Sequence, residues 1–202
     1  ADLFEPDMRV YDVGANIGLF SLVAARRGAQ VHAFEPNPPT LERLRANIAQ
    51  NAFGSRIAVE TRALLEGDGS VTLFDDANAD GATRNRGVAS ISNLNASGVG
   101  RTVATTSIDR FVQERDVRRL DCIKMDIQGA ELAALRGARG TMRTLRPTIL
   151  MEFDAGCAKN MGWSMDDLRG LLAEVDYVVQ GTVDGLNVIL AHRASVPVSA
   201  AR

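Results

Sequence analysis

The chain has 202 residues, of which 46% are hydrophobic, 24% charged and 5% aromatic, with a formal net charge of −2. That is an ordinary soluble balance, long enough for one domain with a sizeable core. It offers no strongly basic surface for nucleic acid and no run long and apolar enough for a membrane-spanning helix.

Met8–Val13 is predicted as a buried strand and Leu19–Arg27 as a helix that stops at Gly28. Gln30–Phe34 forms a second strand. Pro38–Asn51 is a helix in which Leu41, Leu44 and Ile48 recur at helical spacing, with Pro38 and Pro39 in its first turn, where a missing N–H costs little. Ile57–Leu65 is expected as one third strand. This series argues for a parallel α/β sheet. Gly69–Phe74 alternates like an edge strand, and 75–100, rich in Asp, Asn, Gly and Ser, is expected to be a surface loop or lid. Val103–Thr106 is a short strand, and Ser107 caps a helix over Ile108–Val112. The buried pattern resumes with a strand at Leu120–Ile127, helices at Ala130–Gly137 and Gly140–Leu145, a strand at Pro147–Phe153 and a helix at Met165–Ala173. Tyr177–Gln180 and Leu186–Ala191 form a hairpin around Asp184-Gly185. No repeat or linker divides the chain, so 1–202 is one domain with a tail at 194–202. Cys122 and Cys157 make neither a disulfide framework nor a zinc-ligand spacing. No secretory signal is visible, and a reducing, cytoplasmic setting is expected.

In an open parallel sheet, ligands bind beyond the carboxyl ends of the strands. The first strand runs into Asp12-Val-Gly-Ala-Asn-Ile-Gly18, directly before a helix. Gly14 permits a tight turn and a close ligand approach, Gly18 permits close packing, and the free N–H groups of the helix start favour an anion such as a methionine carboxylate. Glu35 ends the second strand, where it can accept hydrogen bonds from both ribose hydroxyls, and Pro36 fixes its turn. A dinucleotide loop would need a middle glycine for the pyrophosphate. Here Ala15 and Asn16 stand in that stretch, and Asp12 suits an ammonium better than a diphosphate. The cofactor set expected from these strand ends is Asp12, Gly14, Ala15, Asn16, Gly18, Glu35, Pro36, Ala63, Leu64 and Asp126, around S-adenosylmethionine.

The segment Leu120-Asp-Cys-Ile-Lys-Met-Asp-Ile-Gln-Gly-Ala-Glu131, then Leu135-Arg-Gly-Ala138 and Pro147-Thr-Ile-Leu-Met-Glu-Phe153, closely resembles the FkbM family of methyltransferases. The glycine loop and Glu35-Pro36 agree with it, and the likeness runs from about Val10 to about Leu190. One departure is Gln128, where the family usually has Glu, and this position is given no acid–base role. The resemblance implies a Rossmann-like class I methyltransferase fold: a seven-stranded, mostly parallel sheet with its last strand antiparallel and helices on both faces. It also implies O-methylation of a hydroxyl on a sugar or other secondary metabolite, with a small-molecule acceptor. RNA or protein methylation, or a non-catalytic cofactor-binding module, stand as alternatives.

Methyl transfer from a sulfonium is an in-line displacement, aided by placement and by a base that takes the acceptor's proton. Lys124, Asp126, Glu131 and Glu152 are the catalytic candidates. Lys124 and Asp126 share one strand face. Lys124 is expected to pair with Glu152, an arrangement that either serves the chemistry or only orders the strand ends. Glu131 either acts in the reaction or supports the first turn of its helix. His32 and His192, inside predicted strands, are assigned to packing or surface. Asp75, Asp76 and Asp80 are expected to be solvated, so no metal is required. Ser90 in Gly87–Ser92 could face the cofactor or acceptor, and Met161 and Trp163 either wall the acceptor pocket or anchor the core.

Overall fold

Alternation along the first strand divides the core in two. In β1 (Arg9–Val13), Val10 packs with Val31, Ile57 and Cys122 on one side of the sheet, while Tyr11 and Val13 pack with Phe34, Ile123 and Met125 on the other. The computed structural model describes residues 4–75, 89–91, 100–183 and 185–196. After β1 come α1 (Leu19–Arg26), β2 (Gln30–Phe34), α2 (Pro38–Gln50) and β3 (Ile57–Glu60). Then follow β4 (Ala63–Leu64), β5 (Gly69–Asp75), β6 (Ala89–Ser90), β7 (Arg101–Thr106), α3 (Ile108–Glu114), β8 (Cys122–Met125), α4 (Glu131–Arg136) and α5 (Arg139–Thr144). β9 (Thr148–Glu152), α6 (Ala155–Asn160), α7 (Met165–Glu174), β10 (Tyr177–Val183) and β11 (Asn187–His192) complete the chain.

The main sheet has seven strands in the order β10-β11-β9-β8-β1-β2-β3. β1, β2, β3, β8 and β9 pair in parallel, and β11 alone runs against both of its neighbours. The apolar stripes of α1 and α2 cover one face, through Ala24, Ala25, Leu41, Leu44 and Ile48. Those of α3, α4, α5 and α7 cover the other, through Phe111, Leu132, Met142 and Leu168. This is the expected α/β architecture. No helix among the described residues is long and apolar enough to cross a membrane.

Three elements differ from expectation. The predicted strand Ile57–Leu65 is two: the Glu60 carboxylate takes the Thr61 and Arg62 amides and the Arg62 guanidinium, which turns the chain after β3. β4 then joins a second, four-stranded sheet of order β4-β7-β5-β6. Gly69–Phe74 is accordingly an inner strand of this small sheet, antiparallel to β7 and to β6. Helix α6 was not expected, although Asp154 caps it by accepting the Cys157 amide at 2.7 Å. The hairpin of β10 and β11 and the capping box of Ser164 and Asp167 form as the sequence implies. Most of the expected lid, with Asp76, Asp80 and Gly87–Val88, lies outside the described residues, as do Asp184 and the end of the tail.

Candidate functional site

The carboxyl ends of β1, β2, β4 and β8 open into a pocket of about 830 Å³. Its wall includes Gly14, Ala15 and Asn16 after β1, Glu35 and Pro36 after β2, Ala63 and Leu64, and Lys124, Asp126 and Gln128 from β8 onward. Eight of the ten expected cofactor residues line it; Asp12 and Gly18 do not.

The loop after β1 is shaped by close approaches. Gly14 has a φ of 77°, and a Cβ there would stand 2.0 Å from the Asp126 carbonyl oxygen. The amides of Gly14 and Ala15 both donate to the Phe34 carbonyl, at 3.1 and 3.0 Å, which ties the loop to β2. Gly18, with a φ of 93°, leaves room for Leu44, whose Cδ1 would lie 2.5 Å from a Cβ. It therefore seats α1 on α2 behind the pocket and is not part of its wall. The first turn of α1 carries no side-chain cap and no acidic residue, so its polarity suits an anion.

Glu35 is 7% exposed and is held at both oxygens. Oε2 accepts the Asn16 amide and Oε1 the Asn37 amide, each at 2.9 Å. Burial pushes this carboxyl above its ordinary range, against the two amides, which favour the charged form. Each oxygen keeps a lone pair for another donor. Asn16 has a φ of 52°, and its buried side-chain oxygen has no hydrogen-bond partner among the described residues. A Cβ-free cradle at Gly14, an orphaned acceptor at Asn16 and a half-satisfied carboxylate at Glu35 fit a ligand with ribose hydroxyls and an amino-acid end.

Lys124 organises the floor. Its Nζ donates to the Gly14 carbonyl at 3.1 Å and lies 3.5 Å from Asp12 Oδ1 and 3.7 Å from Asp126 Oδ2. The expected Lys124–Glu152 pair is thus not formed: β1 and β8 are adjacent in register, Asp12 opposite Lys124, so the ammonium turns to β1. Asp12 has no exposed surface and accepts the Ser21 hydroxyl at 2.6 Å. It is not on the pocket wall; its carboxylate lies beside Lys124 beneath the loop. Burial raises the Asp12 pKa, opposed by Lys124 and Ser21.

Glu152 instead joins Asp126. Gln128, in the left-handed region at φ 55°, donates through Nε2 to Asp126 Oδ1 at 3.0 Å and to Glu152 Oε2 at 3.3 Å. The hydrogen bond with Asp126, then burial, lifts the Glu152 carboxyl to about 7. Burial also disfavours charge on Asp126, but the hydrogen bond from Glu152 and the Lys124 charge outweigh it and hold Asp126 below the usual range. The two acids thus share one proton near neutrality, the behaviour of adjoining carboxyls. Sequence reasoning missed Gln128 as the bridge; its place between two chemistry-bearing strand ends was the available signal. Glu131 is buried off the pocket and accepts the Ile127 amide at 2.9 Å, so it clamps the turn that follows Asp126.

The remaining candidates fall elsewhere. Trp163 is buried, packs in the core and donates from Nε1 to the Gly129 carbonyl at 2.6 Å, and Met161 packs beside it. His32 lies edge-on to Tyr11 and Phe111, and His192 accepts the Ala194 amide. Ser90 lies in β6. No group of three or more His, Cys, Asp or Glu is placed to hold a metal among the described residues.

Comparison with known proteins gives a consistent result. The model of the methyltransferase FkbM domain matches residues 12–179. The hexuronic acid methyltransferase AglP of Haloferax volcanii is 29% identical over 152 residues, covering 75% of this chain and 58% of that protein. The 31-O-demethyl-FK506 methyltransferase FkbM of Streptomyces tacrolimicus is also 29% identical, with 86% of this chain and 76% of that protein covered. Among solved structures, a methyltransferase FkbM from Methylobacillus flagellatus KT superposes with a TM-score of 0.61 at 22% identity. That match covers 94% of this chain and 44% of the other, so the likeness is one of fold. The chain spans little more than half the length of the haloarchaeal protein.

Proposed function

The chain belongs to the methyltransferase FkbM domain family, and from that premise we propose that it transfers a methyl group from S-adenosylmethionine to a hydroxyl of a small molecule, a sugar or related metabolite. The single observation that carries this reading is Glu35, buried and clamped by two amides with a lone pair left on each oxygen toward the pocket. A ribose diol offers the two donors that such a carboxylate lacks.

In this reading Glu35 takes the ribose hydroxyls, and Asn16, Ala15 and the start of α1 hold the amino-acid end. Ala63, Leu64 and Pro36 supply the apolar wall for the base. The cofactor, when bound, supplies an electrophilic methyl group on a sulfonium. Asp126, on the pocket wall, is the acid–base partner of the acceptor: it accepts the hydroxyl proton as the oxygen attacks. Gln128 and Glu152 hold Asp126 in place, and Lys124, fixed by Asp12, balances its charge. An anionic carboxylate acceptor would be repelled by Asp126 and needs no base, so the pair suits a neutral hydroxyl. AglP carries a hexuronic acid substrate in its name, and for this chain the corresponding acceptor atom is a ring hydroxyl, not the uronic carboxylate.

The test is methyl-labelled S-adenosylmethionine offered with uronic acid glycosides, their methyl esters and simple amines, with products read by mass spectrometry. Base-stable labelled ethers support the assignment. Label confined to base-labile esters, or to amines, contradicts it.

A further inference from the structure

A second cleft, of about 530 Å³, opens at the opposite end of the sheet, where β1, β2 and β3 begin. Its floor is aromatic: Tyr11 and His32 are register partners on β1 and β2, with ring centroids 5.5 Å apart. Tyr11 borders this cleft at 2% exposure, and its buried hydroxyl has no hydrogen-bond partner among the described residues. A buried phenol hydroxyl left unpaired is unfavourable. That cost makes the hydroxyl a donor awaiting an acceptor.

The walls are basic. Arg118 and Arg119 are matched by Asp116 and Asp121. Arg115 reaches Glu60 only at 3.9 Å and lies 5.5 Å over the Phe111 ring. Arg56 gives one guanidinium nitrogen to the Gly28 carbonyl at 2.7 Å, and Arg9 stands at the head of β1 beside the cleft. The positive charges of Arg9 and Arg115 both act on His32 across the floor, opposed by Glu60. Two arginines and a phenol donor converging on one cavity match an anion with several acceptor oxygens.

We propose that this cleft binds a small phosphomonoester, its phosphate held by the Tyr11 hydroxyl, Arg9 and Arg115 and its organic part seated against the Tyr11–His32 floor. The volume exceeds the needs of a bare ion and suits a compact organic phosphate. The site lies at the amino ends of the strands whose carboxyl ends hold the cofactor pocket, so it is separate from methyl transfer.

His32 is the built-in reporter. Burial first, then Arg115 and Arg9, hold its pKa below the ordinary value, with Glu60 pulling the other way. A bound phosphate adds negative charge beside the ring, which raises that pKa in the complex above its value in the free protein. His192, the only other histidine, lies at the end of β11 and serves as internal control.

The experiment is proton NMR of the two histidine rings during titration with inorganic phosphate and, separately, ribose 5-phosphate, at constant ionic strength set by chloride. The expected result is a saturable shift of His32, a raised His32 pKa, an unmoved His192, and ribose 5-phosphate binding about tenfold more tightly than inorganic phosphate. Tyr11→Phe keeps the ring packing and should weaken binding about fivefold to tenfold; Arg9→Gln should weaken it comparably and leaves the buried floor untouched. His32 shifts equal to those in chloride alone, or affinity unaffected by either variant, would overturn the site. Equal affinity for inorganic phosphate and the ester would overturn the organic ligand in favour of free phosphate.

Discussion

Replacing Glu152 by Gln tests the shared proton of the carboxyl pair. Gln can still donate to Asp126, as protonated Glu152 does, and can accept from Gln128, but it cannot ionise. The Glu152 carboxyl is lifted from 4.5 to about 7. A group whose folded pKa is raised contributes stability that is fully present below its unfolded value and lost as pH rises to the folded one. The loss therefore falls between pH 4.5 and about 7 in the wild type and is absent in Glu152→Gln. The shift alone sets a ceiling of about 3.4 kcal/mol. Glu152 is partly solvated, and screening reduces this to about 1–2 kcal/mol. For a chain of this size that corresponds to roughly 2–8 °C in Tm. The assay is thermal unfolding of both proteins at pH 5 and pH 8. Asp12, Glu35 and Glu131, also raised by burial, are common to both proteins and cancel in the comparison. The Tm of Glu152→Gln relative to wild type should be higher at pH 8 than at pH 5 by that amount, and the methyl-transfer rate of the variant should lack the rising limb near pH 7 expected of the wild type. A Tm difference independent of pH, with the limb intact, would refute the shared proton.

Glu35→Ala should weaken binding of S-adenosylhomocysteine by roughly 10- to 150-fold, the scale of 1.5–3 kcal/mol for hydrogen bonds to a charged group, measured by calorimetry; unchanged affinity would move the ribose elsewhere. Lys124→Met leaves Asp12 buried without its cation and should cost about 3–5 kcal/mol in denaturant unfolding, whereas a cost below about 1 kcal/mol would mean that Asp12 is neutral in the fold. Gly14→Ala meets the Asp126 carbonyl and an unfavourable φ, so cofactor affinity should fall more than tenfold even in folded protein, as a binding isotherm would show.

The parallel sheet was legible because buried strands and helical periodicity alternate cleanly from Val10 to Ile48 and again from Cys122 to Leu172. The pocket wall was legible for a related reason: Gly14, Asn16 and Glu35 follow strand ends directly, where backbone geometry leaves them little freedom. What escaped depended on register and long-range approach. Lys124 meets Asp12, not Glu152, because β8 neighbours β1, and strand order is not written in either segment. Asp12 looked like a ligand group from its place at a strand end, but it sits on the buried face toward Ser21. The break after Glu60 came from a carboxylate folding back on its own chain, which an apolar run does not reveal. Gln128 appeared inert because it cannot ionise; its role is to donate two hydrogen bonds at once, visible only when Asp126 and Glu152 are brought together.

The most direct test of the central claim is calorimetric titration of the folded protein with S-adenosylhomocysteine. The account predicts one saturable site, whose affinity falls by roughly 10- to 150-fold when Glu35 is replaced by Ala. Folded protein that gives no binding heat at millimolar ligand would contradict it.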